Sequence, residues 1–151
     1  MKHVRKSVLL WYSPREMYSL VTAVPEYPQF LPWCEDAQVL DRHPDGVTAR
    51  MRMAFKGVRH TFTTRNVHVP DQSVVVALVD GPFSHLDGHW NFISLSSPAG
   101  ETATACRIEF DMSYGFSNAA FEAVLSPVFD RVASTLVDSF VKRAEQVYGS
   151  R

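Results

Sequence analysis

Cysteine is nearly missing from this chain. Cys34 and Cys106 stand far apart among 151 residues, without the close spacing that zinc sites and redox motifs use. That excludes a disulfide-built scaffold and predicts two buried thiols in a reducing compartment. No charge of either sign dominates: 15 Lys and Arg face 16 Asp and Glu, for a net charge of −1. Such a balance argues against a dedicated nucleic-acid binder and against DNA as a partner, while leaving room for a local basic patch. No apolar run approaches the ~20 residues of a membrane-crossing helix, so membrane contact is expected to be peripheral at most. The opening MKHVRKSVLLWYS is charged and then briefly apolar. It lacks a full hydrophobic region and a small-residue cleavage site, so it does not read as a signal peptide, and the cytoplasm is the expected location. Catalytic signatures are missing too: no G-x-S-x-G, no H-E-x-x-H, no phosphate-binding glycine loop.

What is present is ordinary in amount and specific in pattern. Hydrophobic residues make up 46% and charged residues 21%, which suits a soluble globular fold. The length predicts a single domain over residues 1–151, with a core that needs no staples. The stretch Ser126 to Tyr148 predicts a long helix, with Ser126 as N-cap, Pro127 at the first helical position and Gly149 as the stop. At ~100° per residue its apolar side chains, Phe129, Leu136 and Phe140 among them, cover an arc of roughly 200°. A surface helix needs only about 100°, so this one buries more than one face or lines something. A shorter helix, Ala119 to Leu125, is expected before it, capped by Asn118.

Ahead of the helix lies a series of strands. His3 to Tyr12 reads as the first, with Val8 to Trp11 expected to be buried on both faces. Ser13-Pro14-Arg15-Glu16 is a capping box that opens a helix ended by Pro25. Glu26 to Cys34 follows as a short aromatic turn of helix pinned by prolines, carrying Tyr27, Phe30 and Trp33. Strands are then expected at Ala37 to Arg42, Val47 to Phe55, Val58 to Val69, Ser73 to Val79, Gly88 to Leu95 and Thr102 to Phe116, with turns such as His43-Pro44-Asp45-Gly46 and Ser97-Pro98-Ala99-Gly100 between them. Period-two alternation puts Met51, Met53 and Phe55 on one face of their strand. Phe62, Thr64 and Asn66, Trp90 and Phe92, and Phe110, Met112 and Tyr114 follow suit on later strands. Short turns between successive strands make an antiparallel sheet, and seven strands must curl. The expected architecture is α+β: a curved seven-stranded sheet wrapped around the C-terminal helix, with two short helices after the first strand.

The aromatic and methionine face is the main functional signal. A curved sheet gripping one helix either packs solid or encloses an apolar cavity, and methionines adapt such a wall to several shapes. Thr64, Asn66 and Arg143 are the candidate contacts for a ligand's polar head. Arg143 falls inside the apolar arc of the helix, so its head either snorkels out at the helix end or presents a cation to the ligand. Tyr27 to Trp33 either gates the cavity or plugs the end of the barrel. On the opposite sheet face, Arg50, Arg52, Arg59 and Arg65, with Lys56 at the turn, form either a solvated surface or a patch for RNA phosphates. His85 and His89 are four apart, but Leu86-Asp87-Gly88 between them reads as a turn, and no metal site or cofactor is expected.

The segments YPQFLPWC (Tyr27 to Cys34), FTTRN (Phe62 to Asn66), VDGPFSHLDGHWNF (Val79 to Phe92), CRIEF (Cys106 to Phe110) and FVKRAEQVYG (Phe140 to Gly149) together resemble one family. This is the coenzyme-Q-binding and ribosome-association-toxin family of START-like, helix-grip proteins, related to polyketide cyclases, and its bacterial toxin branch is the nearest in pattern. The resemblance covers essentially the whole chain. It implies two unlike roles: binding ubiquinone or a related isoprenoid lipid in support of respiration, or binding the large ribosomal subunit and blocking subunit joining. Of the two, the apolar face favours a non-enzymatic carrier of a quinone or lipid. The ribosome-acting toxin is the rival, and a cyclase-like enzyme is third.

Overall fold

Strand β1 runs Lys2–Leu10, β2 Cys34–His43, β3 Gly46–Phe55, β4 Val58–Val69, β5 Ser73–Asp80, β6 Phe83–Ser94 and β7 Cys106–Phe116. Helix α1 spans Pro14–Thr22, a 3-10 segment Val24–Gln29, and α2 Ala119–Tyr148. The computed structural model describes residues 2–95 and 104–151. All seven strands join one antiparallel sheet in the order β1-β7-β6-β5-β4-β3-β2. Neighbours follow chain order except that β1 returns to pair with β7, Lys2 opposite Tyr114 and Leu10 opposite Cys106. Register shifts fall between Cys34 and Asp36, Val39 and Asp41, Thr63 and Thr64, and Phe83 and His85. Bulges of this kind bend a strand and increase its twist, which is how the sheet curls around α2.

The alternation expected on β3, β4 and β7 is present. Val47, Ala49, Met51 and Met53 are buried, as are Phe62, Thr64 and Asn66, and Cys106, Ile108, Phe110, Met112 and Tyr114. The hairpin at Pro44-Asp45 falls where the sequence puts it. So does the capping box: the Ser13 hydroxyl accepts from the Glu16 N–H at 3.1 Å, and the Glu16 carboxylate accepts from the Ser13 N–H at 2.9 Å. Both cysteines are buried free thiols. Burial drives their pKa values up, to about 12 for Cys34 and about 11 for Cys106.

Four expectations are corrected. The C-terminal helix does not begin at Ser126: α2 is one 30-residue helix from Ala119, capped by the Asn118 carboxamide, which accepts from the Phe121 N–H. Pro127 lies inside it with its ring exposed, so the carbonyl that loses its N–H partner faces solvent on an outer turn. The Ser126 hydroxyl is occupied elsewhere, by Lys2. Second, β6 starts at Phe83, not Gly88, so His85, Asp87 and His89 lie along a strand, not in a turn. Third, Leu9 and Trp11 are 66% and 69% exposed: Leu9 lies on the uncovered face of β1, and Trp11 falls beyond the strand, which ends at Leu10 and not at Tyr12. Fourth, β2 begins at Cys34, three residues ahead of the expected Ala37, because the Trp33 carbonyl and Cys34 already pair with β3. The expected turn Ser97 to Gly100 and the start of the last strand at Thr102 lie outside the described residues.

The described part of the chain closes on itself at the α1 end. The Tyr12 hydroxyl donates to the Gly149 carbonyl and the Tyr148 hydroxyl to the Glu16 carbonyl, at 2.7 and 3.0 Å. Arg151 pairs with Glu16 at 2.6 Å. At the other end Asp130 of α2 accepts from Lys2 of β1 and from Tyr114 of β7. Burial raises the Asp130 pKa, but Lys2, Tyr114 and Ser126 outweigh it and hold the group below the ordinary carboxylate range. These contacts fix the helix over the concave sheet. Among the described residues no helix is long and apolar enough to cross a membrane.

Candidate functional site

Between the sheet and α2 lies an apolar cavity of about 80 Å³. The sheet supplies Met51, then Phe62, Thr64 and Asn66 from β4, Val76 from β5, Leu86, Gly88 and Trp90 from β6, and Phe110 and Met112 from β7. The helix supplies Phe129, Val132, Leu136 and Phe140, and the segment between α1 and β2 supplies Tyr27, Leu31 and Trp33. The sheet and α2 positions follow from a period, two along the strands and three to four along the helix. Rings frame the space, with Phe140 edge-on to Trp90 at 5.2 Å, to Tyr27 at 5.6 Å and to Phe30 at 5.1 Å.

Polar groups on this wall are few. The Thr64 hydroxyl, fully buried, donates to the Asn66 carboxamide oxygen at 2.8 Å. That leaves the Asn66 amide group as the donor available to a guest. The Tyr27 hydroxyl donates to the Val21 carbonyl, which pins the aromatic segment onto α1, and burial pushes its pKa up. Trp33 is 8% exposed, and its indole N–H is buried without a partner.

Twelve of the sequence-predicted residues therefore meet at the cavity: Tyr27, Trp33, Met51, Phe62, Thr64, Asn66, Trp90, Phe110, Met112, Phe129, Leu136 and Phe140. Six do not. Met53 and Tyr114 are packed into the core, and Phe92 is buried against Tyr18 of α1. Phe55 lines a groove on the outer flank of α2. Phe30 sits behind the wall, between Phe140 and the Arg143 guanidinium, which stacks on it at 5.1 Å. Arg143 itself points away from the cavity, donating to Gln29 at 3.0 Å and lying 3.8 Å from Glu26. It clamps the 3-10 segment to α2 and offers the cavity no cation. Sequence reasoning missed Leu31, Val76, Leu86, Gly88 and Val132. The β5 run Val74-Val75-Val76 carries no alternation to mark a face, and Leu86 and Gly88 were hidden by the turn reading. The signal at Gly88 is the missing side chain itself: a Cβ there would meet Val76 and Met112 at 3.8 and 3.9 Å, in ordinary contact at the cavity wall.

On the outer face the basic residues are partly paired. Arg59 and Arg52 lie 3.3 and 3.9 Å from Glu35, and Arg50 donates to Gln38 at 2.8 Å. Lys56 rests over the Phe55 ring. Arg65 is used structurally, bonding Asp45 and the Asn66 carbonyl. The histidine row on the same face is held by carboxylates, His89 3.3 Å from Asp87 and His3 4.0 Å from Asp111. Among the described residues no group of three or more His, Cys, Asp or Glu is placed to hold a metal.

A curved sheet, a gripped helix and an apolar cavity between them are the architecture of this chain, and a family model matches it. That model, polyketide cyclase / dehydrase and lipid transport, matches residues 10–141. The chain belongs to that family. It is 40% identical over 151 residues to the ribosome association toxin RatA of Escherichia coli K12, covering 100% of this chain and 92% of that protein. It is 29% identical over 145 residues to the mitochondrial coenzyme Q-binding protein COQ10 homolog B of Xenopus laevis, covering 95% of this chain and 58% of that one. A START superfamily protein from Mycobacterium smegmatis superposes with a TM-score of 0.77 at 18% identity, over 96% of this chain and 98% of that one. That likeness establishes the helix-grip, START-like fold for this family member.

Proposed function

We propose that this protein binds a mostly hydrocarbon ligand with a neutral, oxygen-bearing head, of the isoprenoid quinone class, in the cavity beneath α2. The observation that carries this reading is the cavity wall: thirteen aliphatic or aromatic side chains, Gly88, and three polar side chains, Tyr27, Thr64 and Asn66. Each buried methylene contributes about 0.8 kcal/mol, and the Asn66 amide is placed to donate to a carbonyl. No lining side chain is a carboxylate, imidazole, thiol or amine, so the wall supplies no acid–base pair and suits holding a ligand rather than transforming it. The name of the Xenopus relative, a coenzyme Q-binding protein, agrees with this chemistry. The test is extraction of the purified protein with organic solvent and mass spectrometry of what is released, followed by quinone titration of the wild type and of Gly88→Val. A valine Cβ stands in ordinary contact with Val76 and Met112 and its methyls take cavity volume, so the variant, with its fold checked by melting temperature, loses affinity. A wild type that emerges empty and ignores quinones and other lipids overturns the reading.

A second reading is favoured by relatives at 40% identity that are named ribosome association toxins. On that reading the protein associates with the large ribosomal subunit and hinders subunit joining, and the outer face of β3 and β4 with Arg50, Arg52, Lys56 and Arg59 touches ribosomal RNA. Sucrose gradients of ribosomes with added protein check it: subunit peaks grow at the expense of monosomes. Unchanged profiles at saturating protein overturn it.

A further inference from the structure

A space of about 80 Å³ is far below the ~300–1,000 Å³ of ordinary small-molecule pockets. Immediately outside it, on the flank of α2, lies a groove of about 280 Å³. Its floor is Pro32, Trp33, Phe55, Val128 and Val132, and its rim on the helix carries Arg131, Thr135, Ser139 and Lys142. Two side chains, Trp33 and Val132, belong to both linings. They are the partition between the two spaces. Val132 is β-branched on a helix and stiff at χ1. Trp33 sits in the short connector between the 3-10 segment and β2, outside regular structure.

Trp33 carries the second observation. Buried tryptophan N–H groups usually find a partner, and this one has none. An orphaned buried donor is unfavourable, so the closed arrangement holds the indole in a position that an acceptor would improve.

Resting on the quinone-class reading above, we propose that Trp33 is the gate and one of the two hydrogen-bond donors of a single site that runs through the partition. The head ring lies between the Thr64–Asn66 pair and Trp33, with one carbonyl on the Asn66 amide and the other on the Trp33 indole N–H. The hydrocarbon chain leaves past Val132 and lies along α2 on the floor made by Phe55 and Val128. Joined, the two spaces exceed the lower end of the pocket range. The ligand class is a para-diketone ring bearing a long uncharged chain: two acceptors match two donors, and the floor along which the chain lies is apolar, with the cations Arg131 and Lys142 confined to the rim.

The experiment is isothermal titration of the whole chain with ubiquinone homologues of increasing tail length and with a tail-bearing benzene that lacks the carbonyls. Wild type, Trp33→Phe and Thr135→Trp are compared, each checked by far-UV circular dichroism and melting temperature. In the wild type affinity rises with tail length. Trp33→Phe keeps an aromatic plug but removes the donor, so it binds quinones about tenfold more weakly, one neutral hydrogen bond's worth. Its affinity for the carbonyl-free analogue matches that of the wild type. Thr135→Trp fills the groove from an exposed helix position and flattens the dependence on tail length. If the wild type binds quinones and both folded variants bind every homologue as it does, the gate is overturned while the cavity reading stands. If Trp33→Phe weakens quinone and carbonyl-free analogue alike, the donor role is overturned. If the wild type binds no quinone, both readings fall together.

Discussion

At the scale of single residues, burial decides what a substitution costs. Phe140 is 1% exposed and meets rings from β6 and from the segment before β2. Phe140→Ala is expected to cost about 3–5 kcal/mol in urea unfolding. Arg131, exposed on the outer side of the same helix, tolerates alanine within about 0.5 kcal/mol. Equal losses at the two would contradict the helix orientation. His68 supplies a pH prediction. Its Nε2 is buried without a partner. Burial, followed by Arg65, lowers its pKa, and Asp45 only partly compensates. The unfolded chain therefore binds a proton that the folded one resists, so this contribution is complete above the ordinary histidine pKa of ~6.5 and is lost as pH falls below it. Stability measured from pH 8 to 5 declines less in His68→Phe than in the wild type, and identical slopes would remove His68 from the account. Arg143 shows where reading from sequence stops at this scale. Its helical angle correctly puts it among apolar neighbours, but its Phe30, Gln29 and Glu26 partners come from 113 to 117 positions away, which no periodicity encodes.

At the scale of elements, the β3, β4 and β7 alternations and the capping box were legible because each rests on spacing within a few residues. The merger of two expected helices into α2 was not. Pro127 is a local stop signal, and it is overridden by the packing of Leu125, Val128 and Phe129 on either side of it. The β6 boundary was lost in the same way, since Asp80-Gly81-Pro82 marks a real turn but Leu86-Asp87-Gly88 only imitates one. Gly88 instead opens the cavity. Gly46, at the start of β3, has a backbone requirement that is directly testable. Its φ is +154°, and a Cβ there would fall 1.9 Å from the Asn66 carbonyl oxygen. Gly46→Ala is expected to cost at least the ~1–3 kcal/mol of backbone strain and to displace the strand that carries Asn66, lowering ligand affinity as well. Gly57, also at positive φ but with nothing within 4 Å, is the control: Gly57→Ala costs less and leaves binding as it was. A melting comparison of the two variants checks this, and equal losses would contradict it.

At the scale of the whole molecule, the charge balance that argues against nucleic acid is an average over unlike surfaces. Arg50, Arg52, Lys56 and Arg59 cluster on β3 and β4, with Glu35 as the anion facing two of them. If that face contacts ribosomal RNA, reversing Arg50 and Arg52 to Glu weakens sedimentation with the large subunit, and raising salt from 50 to 200 mM weakens the wild type more steeply than the double variant. Salt-independent association would place the contact elsewhere. The strand order bears on how the protein comes to exist at all. β1 pairs only with β7, and the concave face it helps to form is covered by α1 and the segment after it at one end and by α2, which follows every strand in the chain, along its length. During synthesis at ~5–20 residues per second, the final 30 residues of α2 take roughly 2–6 s to add. Throughout that interval a nearly complete sheet presents much of its aromatic face to water, with the helix it grips unfinished. Folding is therefore expected to be post-translational and dominated by sequence-distant contacts. A nascent chain halted before Phe129 would be a client for chaperones that bind exposed apolar surface.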